Sequence, residues 1–196
     1  MLAKRIPKCK QYTTVGIIII FSLVLAGCLE YETTIITIYR YPNGNAKVTM
    51  QFSGIKSGGR WLEEDYQTLM DIVDEKNWTT NDFKLNYIKI WINDDGFLEG
   101  LMAAEGSEKQ IFEVGNFIVK EDYIVTVLDK EATHEKNYKT NGEKILKDDD
   151  LIIRWSIQTR ILQLSENDPY AKDTNNRLAD LFKKRNPKGI VEKHFD

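Results

Sequence analysis

Cysteine is almost missing from this chain: there are two in 196 residues, Cys9 and Cys28, so residues 29–196 hold no thiol. No disulfide can brace that stretch, and hydrophobic burial must stabilise it unaided. Histidine is equally scarce. His134 lies in polar sequence and His194 two residues from the end. Neither has the neighbours that a zinc site or a Ser–His pair requires, and both read as solvent-exposed. Long apolar runs are lacking too. The longest, Val15–Ala26, covers 12 residues and is broken by Gly16 and Ser22. Twelve helical residues rise only about 18 Å, against a hydrocarbon core of about 30 Å. No phosphate-cradling glycine loop occurs, since Ser57-Gly58-Gly59 is followed by Arg60 rather than Gly-Lys-Ser/Thr. Internal repeats and low-complexity tracts are also absent.

What is present begins with an ordered set of signals. Lys4, Arg5, Lys8 and Lys10 make a cationic start with no acid before Glu30, the apolar run follows, and Leu25-Ala26-Gly27-Cys28 closes it. A run of that length suits a signal-peptide core rather than a span. The quartet resembles the lipobox of bacterial lipoproteins. The resemblance implies a lipid on the Cys28 thiol, cleavage just before it, and an acylated new amino terminus. It implies loss of residues 1–27 and one extracytoplasmic domain over residues 28–196. If the cell has two membranes, the site is the periplasmic face of the outer membrane or the cell surface, the choice that Leu29 after the cysteine favours. If it has one, the site is that membrane's outer face.

Four of the 27 basic residues and none of the 30 acids fall within 1–27, which leaves residues 28–196 with 23 basic residues and a net charge of −7. Nucleic-acid binding relies on clustered cations and is disfavoured. Anionic lipid is disfavoured as an electrostatic partner as well, so membrane attachment rests on acyl chains, each buried CH₂ contributing roughly 0.8 kcal/mol. About 170 residues suffice for a single domain with a real core.

Hydrophobic patterning predicts an α+β fold. Tyr31–Arg40 has the β-branched and aromatic composition of a strand. Pro42-Asn43-Gly44-Asn45 is turn chemistry. Ala46, Val48, Met50 and Phe52 then alternate with polar residues, which completes a hairpin. Leu62, Tyr66, Leu69, Met70 and Val73 fall on one helical stripe, with Glu63, Glu64 and Asp65 in a first turn where the helix dipole favours acids. That helix is expected over about 62–76. Phe83–Ile92 reads as a strand whose apolar parity switches between Tyr87 and Ile88, the mark of a bulge or of burial on both faces. Asn93-Asp94-Asp95-Gly96 turns the chain back into a strand over Phe97–Met102. Strands are expected over Ile111–Val119, Tyr123–Leu128 and Leu151–Ile157, with residues 129–143 a polar loop and Ile161–Leu164 extending or pairing with the last of these strands. A short C-terminal helix over about 174–185 precedes Pro187. Hairpin succeeding hairpin, with two helices, makes the sheet mostly antiparallel.

No catalytic grouping, cofactor motif or metal-ligand spacing stands out. Asp94-Asp95-Gly96 lacks the alternating oxygen ligands of a calcium loop, and Asp148-Asp149-Asp150 reads as a solvated turn. The aromatics carry the remaining interest. Trp91 and Trp155 sit in strand patterns and are expected in the core, whereas Trp61 and Trp78 bracket the first helix. They staple its ends or line a groove beneath it.

A second resemblance rests on Tyr31–Arg40, Asn43-Gly44, Asn141-Gly142 and Leu151–Trp155. Their order resembles that of LppM-like bacterial lipoproteins, in which an α+β domain follows the lipobox. The chain departs from them in having a charged helix and tail where they have an apolar C-terminal span. The resemblance implies an α+β lipoprotein and transfers no active residue. The expected function is a lipid-anchored, non-enzymatic binding or structural module whose partner is an envelope protein or lipid. The alternative is a lipid or small-ligand carrier with a pocket between helix 62–76 and the sheet. A third, weaker candidate is an envelope hydrolase using carboxylates from separate strands.

Overall fold

The computed structural model describes residues 29–58, 62–73, 83–128, 137–147, 150–168 and 177–195. Its first long feature is the expected hairpin. β2 (Thr33–Arg40) and β3 (Asn45–Ser57) pair antiparallel from Thr33 opposite Ser53 to Arg40 opposite Ala46. The turn works as its residues suggest. Gly44 takes φ +80°, and the Asn43 side-chain oxygen accepts from the Asn45 N–H at 3.1 Å. Before the hairpin, β1 (Leu29–Glu30) lies against the far end of β3, with Leu29 opposite Ser57.

β4 (Phe83–Ile92) and β5 (Leu98–Ser107) form the second hairpin, turned by Asn93, whose side-chain oxygen accepts the N–H groups of Asp95 and Phe97. The parity switch in β4 is a bulge. Its pairing with β5 slips between Leu85 and Tyr87, so that Leu85, Ile88 and Ile90 all face inward. With β8 (Asn137–Thr140), β11 (Ile161–Asn167) and β12 (Ile190–His194) these strands make an eight-stranded sheet. Its order is β12-β4-β5-β3-β2-β11-β8, with β1 beside β3. A second sheet orders β6 (Ile118–Val119), β7 (Tyr123–Leu128), β10 (Asp150–Ser156) and β9 (Glu143–Lys147). Every pairing is antiparallel. The α+β class therefore holds.

Several local expectations are corrected. Residues 111–114 are not strand but part of a helix, α2 (Glu108–Val114), started by a capping box between Ser107 and Gln110. The Ser-x-x-Gln spacing outweighs the apolar composition of Ile111 and Phe112, which the helix buries instead. β5 runs on to Ser107, because small Ala103, Ala104 and Gly106 fit between its neighbours. Residues 137–143 are not loop: β8 precedes a corner at Asn141-Gly142 and β9 follows it. β11 pairs with β2, not with β10, because Leu162 and Leu164 then join Ile38 and Ile36 in the core. The tail adds β12 on β4 beyond its helix, after Gly189 at φ +67° reverses the chain. The described helices thus number three, not two.

The expected main helix is α1 (Leu62–Ile72), shorter than 62–76; Val73 forms a turn and residues 74–76 lie outside the described residues. Its stripe of Tyr66, Leu69 and Val73 is buried as expected. α3 (Arg177–Arg185) lies against α1 and β3, and buries Leu178 and Phe182 completely. The acids of α1's first turn do more than complement the helix dipole. Asp65 is buried and accepts from the Ser57 hydroxyl, and Glu63 pairs with Arg185 of α3. Beside these helices the inner face of the small sheet contributes Ile124, Leu128, Ile153 and Trp155 to the same core.

Arg40 ties the two sheets and α2 together. Its guanidinium donates to both Glu108 carboxylate oxygens at 2.8 and 2.9 Å, and Nη1 donates to the carbonyls of Ile157 and Thr159 at 2.5 and 2.8 Å. A lysine offers one point charge in place of this fork. Arg40→Lys should therefore lower unfolding stability by about 1–3 kcal/mol. Urea denaturation reads this as a lower midpoint at unchanged slope; an unmoved midpoint would show that the fork is dispensable.

Candidate functional site

Two of the chain's crossings between the sheets, at residues 140–143 and at 156–161, border one open cleft of about 380 Å³. Asn141 sets the first crossing. Its side-chain oxygen accepts from Trp155 Nε1 at 2.8 Å and from the Gln163 N–H at 2.9 Å, and its Nδ2 donates to the Ile161 carbonyl at 2.8 Å. Both halves of the amide are used, so an aspartate here would lose the donor. Gly142 follows because nothing larger fits: a Cβ would lie 2.7 Å from Trp155 Nε1 and 2.9 Å from the Arg154 carbonyl. At the second crossing the Ile157 N–H donates to the Asp122 carbonyl at 2.9 Å, which joins that turn to the start of β7.

Register then fixes what faces the cleft. Arg154 lies opposite Glu143 on one side and Val125 on the other, and Ser156 lies opposite Tyr123. Arg154 donates Nε and Nη2 to one Glu143 oxygen at 3.0 and 2.5 Å, and its guanidinium carbon lies 5.7 Å from the centre of the Tyr123 ring. The Arg154 and Glu143 side chains are 41% and 59% exposed. Trp155, 2% exposed and 5.8 Å from the Phe117 ring, makes the floor. Around it, the Asp122 carboxylate and the hydroxyls of Tyr123 and Thr159 have no bonded partner among the described residues. The Ser156 hydroxyl accepts from the Gln158 N–H and keeps its own proton to donate. The arrangement can offer hydrogen bonds of both senses beside an aromatic ring. No histidine or lysine is bonded to these hydroxyls among the described residues.

The residues singled out from sequence do not meet here. Cys28, Trp61 and Trp78 lie outside the described residues, as do His134, Asp148 and Asp149. His194 is exposed, as expected, and its ring meets that of Tyr87 at a tilt of 49° with centroids 4.8 Å apart. Desolvation, then the bond to Glu192, holds the Tyr87 phenol above its ordinary pKa. Trp155 is core, as expected. Trp91 is not: it lies on the outer face of the large sheet, partly buried, with Lys89 Nζ 5.3 Å from its ring centre. The bulge in β4 sends odd-numbered residues after Leu85 outward, which sequence pattern alone could not assign. Beneath α1, Leu69, Ile72, Phe52 and Ile88 leave a space of about 20 Å³. That is room for about one water, not for a lipid. Desolvation beside Phe52 pushes the Tyr31 phenol pKa up. Among the described residues no three His, Cys, Asp or Glu side chains are grouped as metal ligands, and no helix is long and apolar enough to cross a membrane.

Sequence reading named three of the cleft residues, Asn141, Gly142 and Trp155, but as fold features and not as a site. The available signal was Asn141-Gly142, a turn dipeptide inside a stretch read as loop and flanked by β7 and β10, which carry apolar residues on both parities. Comparison with protein-family models and with curated proteins finds no match.

Two energies separate scaffold from surface at this site. A double-mutant cycle on Arg154→Ala and Glu143→Ala should give a coupling below about 1 kcal/mol, as exposed pairs do. Gly142→Ala should cost about 1–3 kcal/mol by overpacking against Trp155 and shift its fluorescence. Equal effects from the two experiments would contradict this division.

Proposed function

We propose that the chain is a lipid-anchored, non-enzymatic binding module on the extracytoplasmic side of a bacterial membrane, presenting the inter-sheet cleft at the end remote from its anchor. The observation that carries the proposal is the position of β1. Leu29, one residue past Cys28, is 4% exposed and paired with Ser57 at one end of β3. At the other end of β3, Ala46 pairs with Arg40, which holds the Ile157–Thr159 wall of the cleft. β3 has 13 residues, so at about 3.3 Å each its two ends lie at most roughly 40 Å apart, the register shift at Gly54 shortening the span. A lipid on Cys28 would thus join the domain without a linker and leave the cleft facing away from the bilayer.

The lipobox-like quartet and the short apolar run before it support the anchor. Binding rather than turnover is supported by the cleft itself. Its Glu143 is committed to Arg154, and its hydroxyls are not bonded to a general base among the described residues.

Radiolabelled palmitate tests the anchor. The wild-type chain should incorporate label and enter the detergent phase, and Cys28→Ala should do neither. If both forms label alike, or neither labels and both are released in soluble form, the anchoring proposal is wrong.

A further inference from the structure

We infer that the inter-sheet cleft binds a neutral saccharide; the inference deepens the binding-module reading by naming its ligand class. The cleft has two carboxylates, Asp122 and Glu143, against one guanidinium, Arg154. An anionic ligand would have to displace Glu143 from Arg154 while facing Asp122, and like-charge contacts of that kind select against it. A cationic ligand finds its best position already filled. Arg154 itself occupies the Tyr123 ring face and the Glu143 carboxylate, which leaves Asp122 alone to receive a second cation. An apolar ligand would strip water from Asp122, Thr159 and the Ser156 hydroxyl without replacing their hydrogen bonds, which disfavours it.

A sugar ring meets the remaining demands. Neighbouring ring hydroxyls can donate together to the two oxygens of Asp122 and both donate to and accept from Ser156 and Thr159. Arg154 uses Nε and Nη2 on Glu143, so the N–H groups of Nη1 remain for a ring or hydroxyl oxygen. Arg154 covers one face of the Tyr123 ring, and the rest of that side chain, 37% exposed in all, offers apolar surface to the C–H groups of a pyranose. A volume of about 380 Å³ is at the small end of the usual range for small-molecule sites, about 300–1,000 Å³, which suits a short oligosaccharide segment. The walls are also held in advance, by Asn141 on one side and by Arg40 on the other.

The test uses the full chain, isotope-labelled with ¹⁵N, in a zwitterionic detergent that carries no sugar. Chitotetraose, cellotetraose and maltotetraose are titrated separately while amide and indole resonances are followed. At least one should give saturable shifts that include the Trp155 indole N–H. Asp122→Ala should weaken that binding about tenfold, the scale of one charge-assisted hydrogen bond, and Tyr123→Leu about threefold to tenfold through loss of the ring contact, while Glu192→Ala on the outer sheet face should leave it unchanged. If no tetrasaccharide shifts the spectrum at millimolar concentration, the inference fails. It fails equally if binding survives both cleft substitutions in variants whose spectra are folded. Saturable binding of spermidine at the same resonances, without any sugar binding, would reassign the site to cations. Either failure leaves palmitate labelling untouched, so loss of the ligand class and loss of the anchor are separately visible.

Discussion

The Arg40 guanidinium is the point on which the assembly of the two sheets depends. It is the last residue of a strand that would be complete without it, yet its side chain reaches α2 through Glu108 and the second crossing through two carbonyls. Its own N–H donates to Arg160 at 2.8 Å. The Arg40 and Glu108 side chains are only 15% and 22% exposed. An ion pair so placed adds little over an apolar pair, but removing one partner strands a charge. What Arg40 supplies is therefore less net stability than a unique arrangement. The fork fixes where the 157–160 turn meets the first hairpin.

Around that point, the fold was legible wherever one physical signal acted alone. The first hairpin combined strict alternation with Asn43-Gly44, and register followed from both. The α1 stripe was equally readable, whereas the parity switch in β4 left a bulge and burial on both faces open, a choice that only the pairing with β5 makes. Legibility ended where two signals competed. Ile111 and Phe112 look like strand, and only the capping box of Ser107 and Gln110 reveals the helix. Tyr138 is the one large apolar side chain buried in β8, so the polar stretch around it resembled loop. It is a strand because Leu164 and Glu166 of β11 offer it an edge.

The cleft was illegible for a further reason. None of its groups forms a sequence motif, because Asp122, Glu143, Arg154 and Thr159 are brought together by pairing across three strands and by two crossings. Strand neighbours in sequence point to opposite faces, so a site on one face of a sheet is scattered along the chain by construction. The Trp residues drew attention by size, whereas burial was decided by register: Trp155 went inward and Trp91 outward.

The Asn141-Gly142 corner has a mechanical consequence. Three described connections join the two sheets, through α2 at residues 107–118, at 140–143 and at 156–161, and the last two border the cleft. Widening the opening would pull Trp155 from Asn141 and the 157–160 turn from Arg40 at the same time. The aperture is therefore set when the core forms, and a guest meets a recess of fixed width that admits it or excludes it by shape. Selectivity in such a recess comes from fit at the moment of encounter, with little induced closure to contribute.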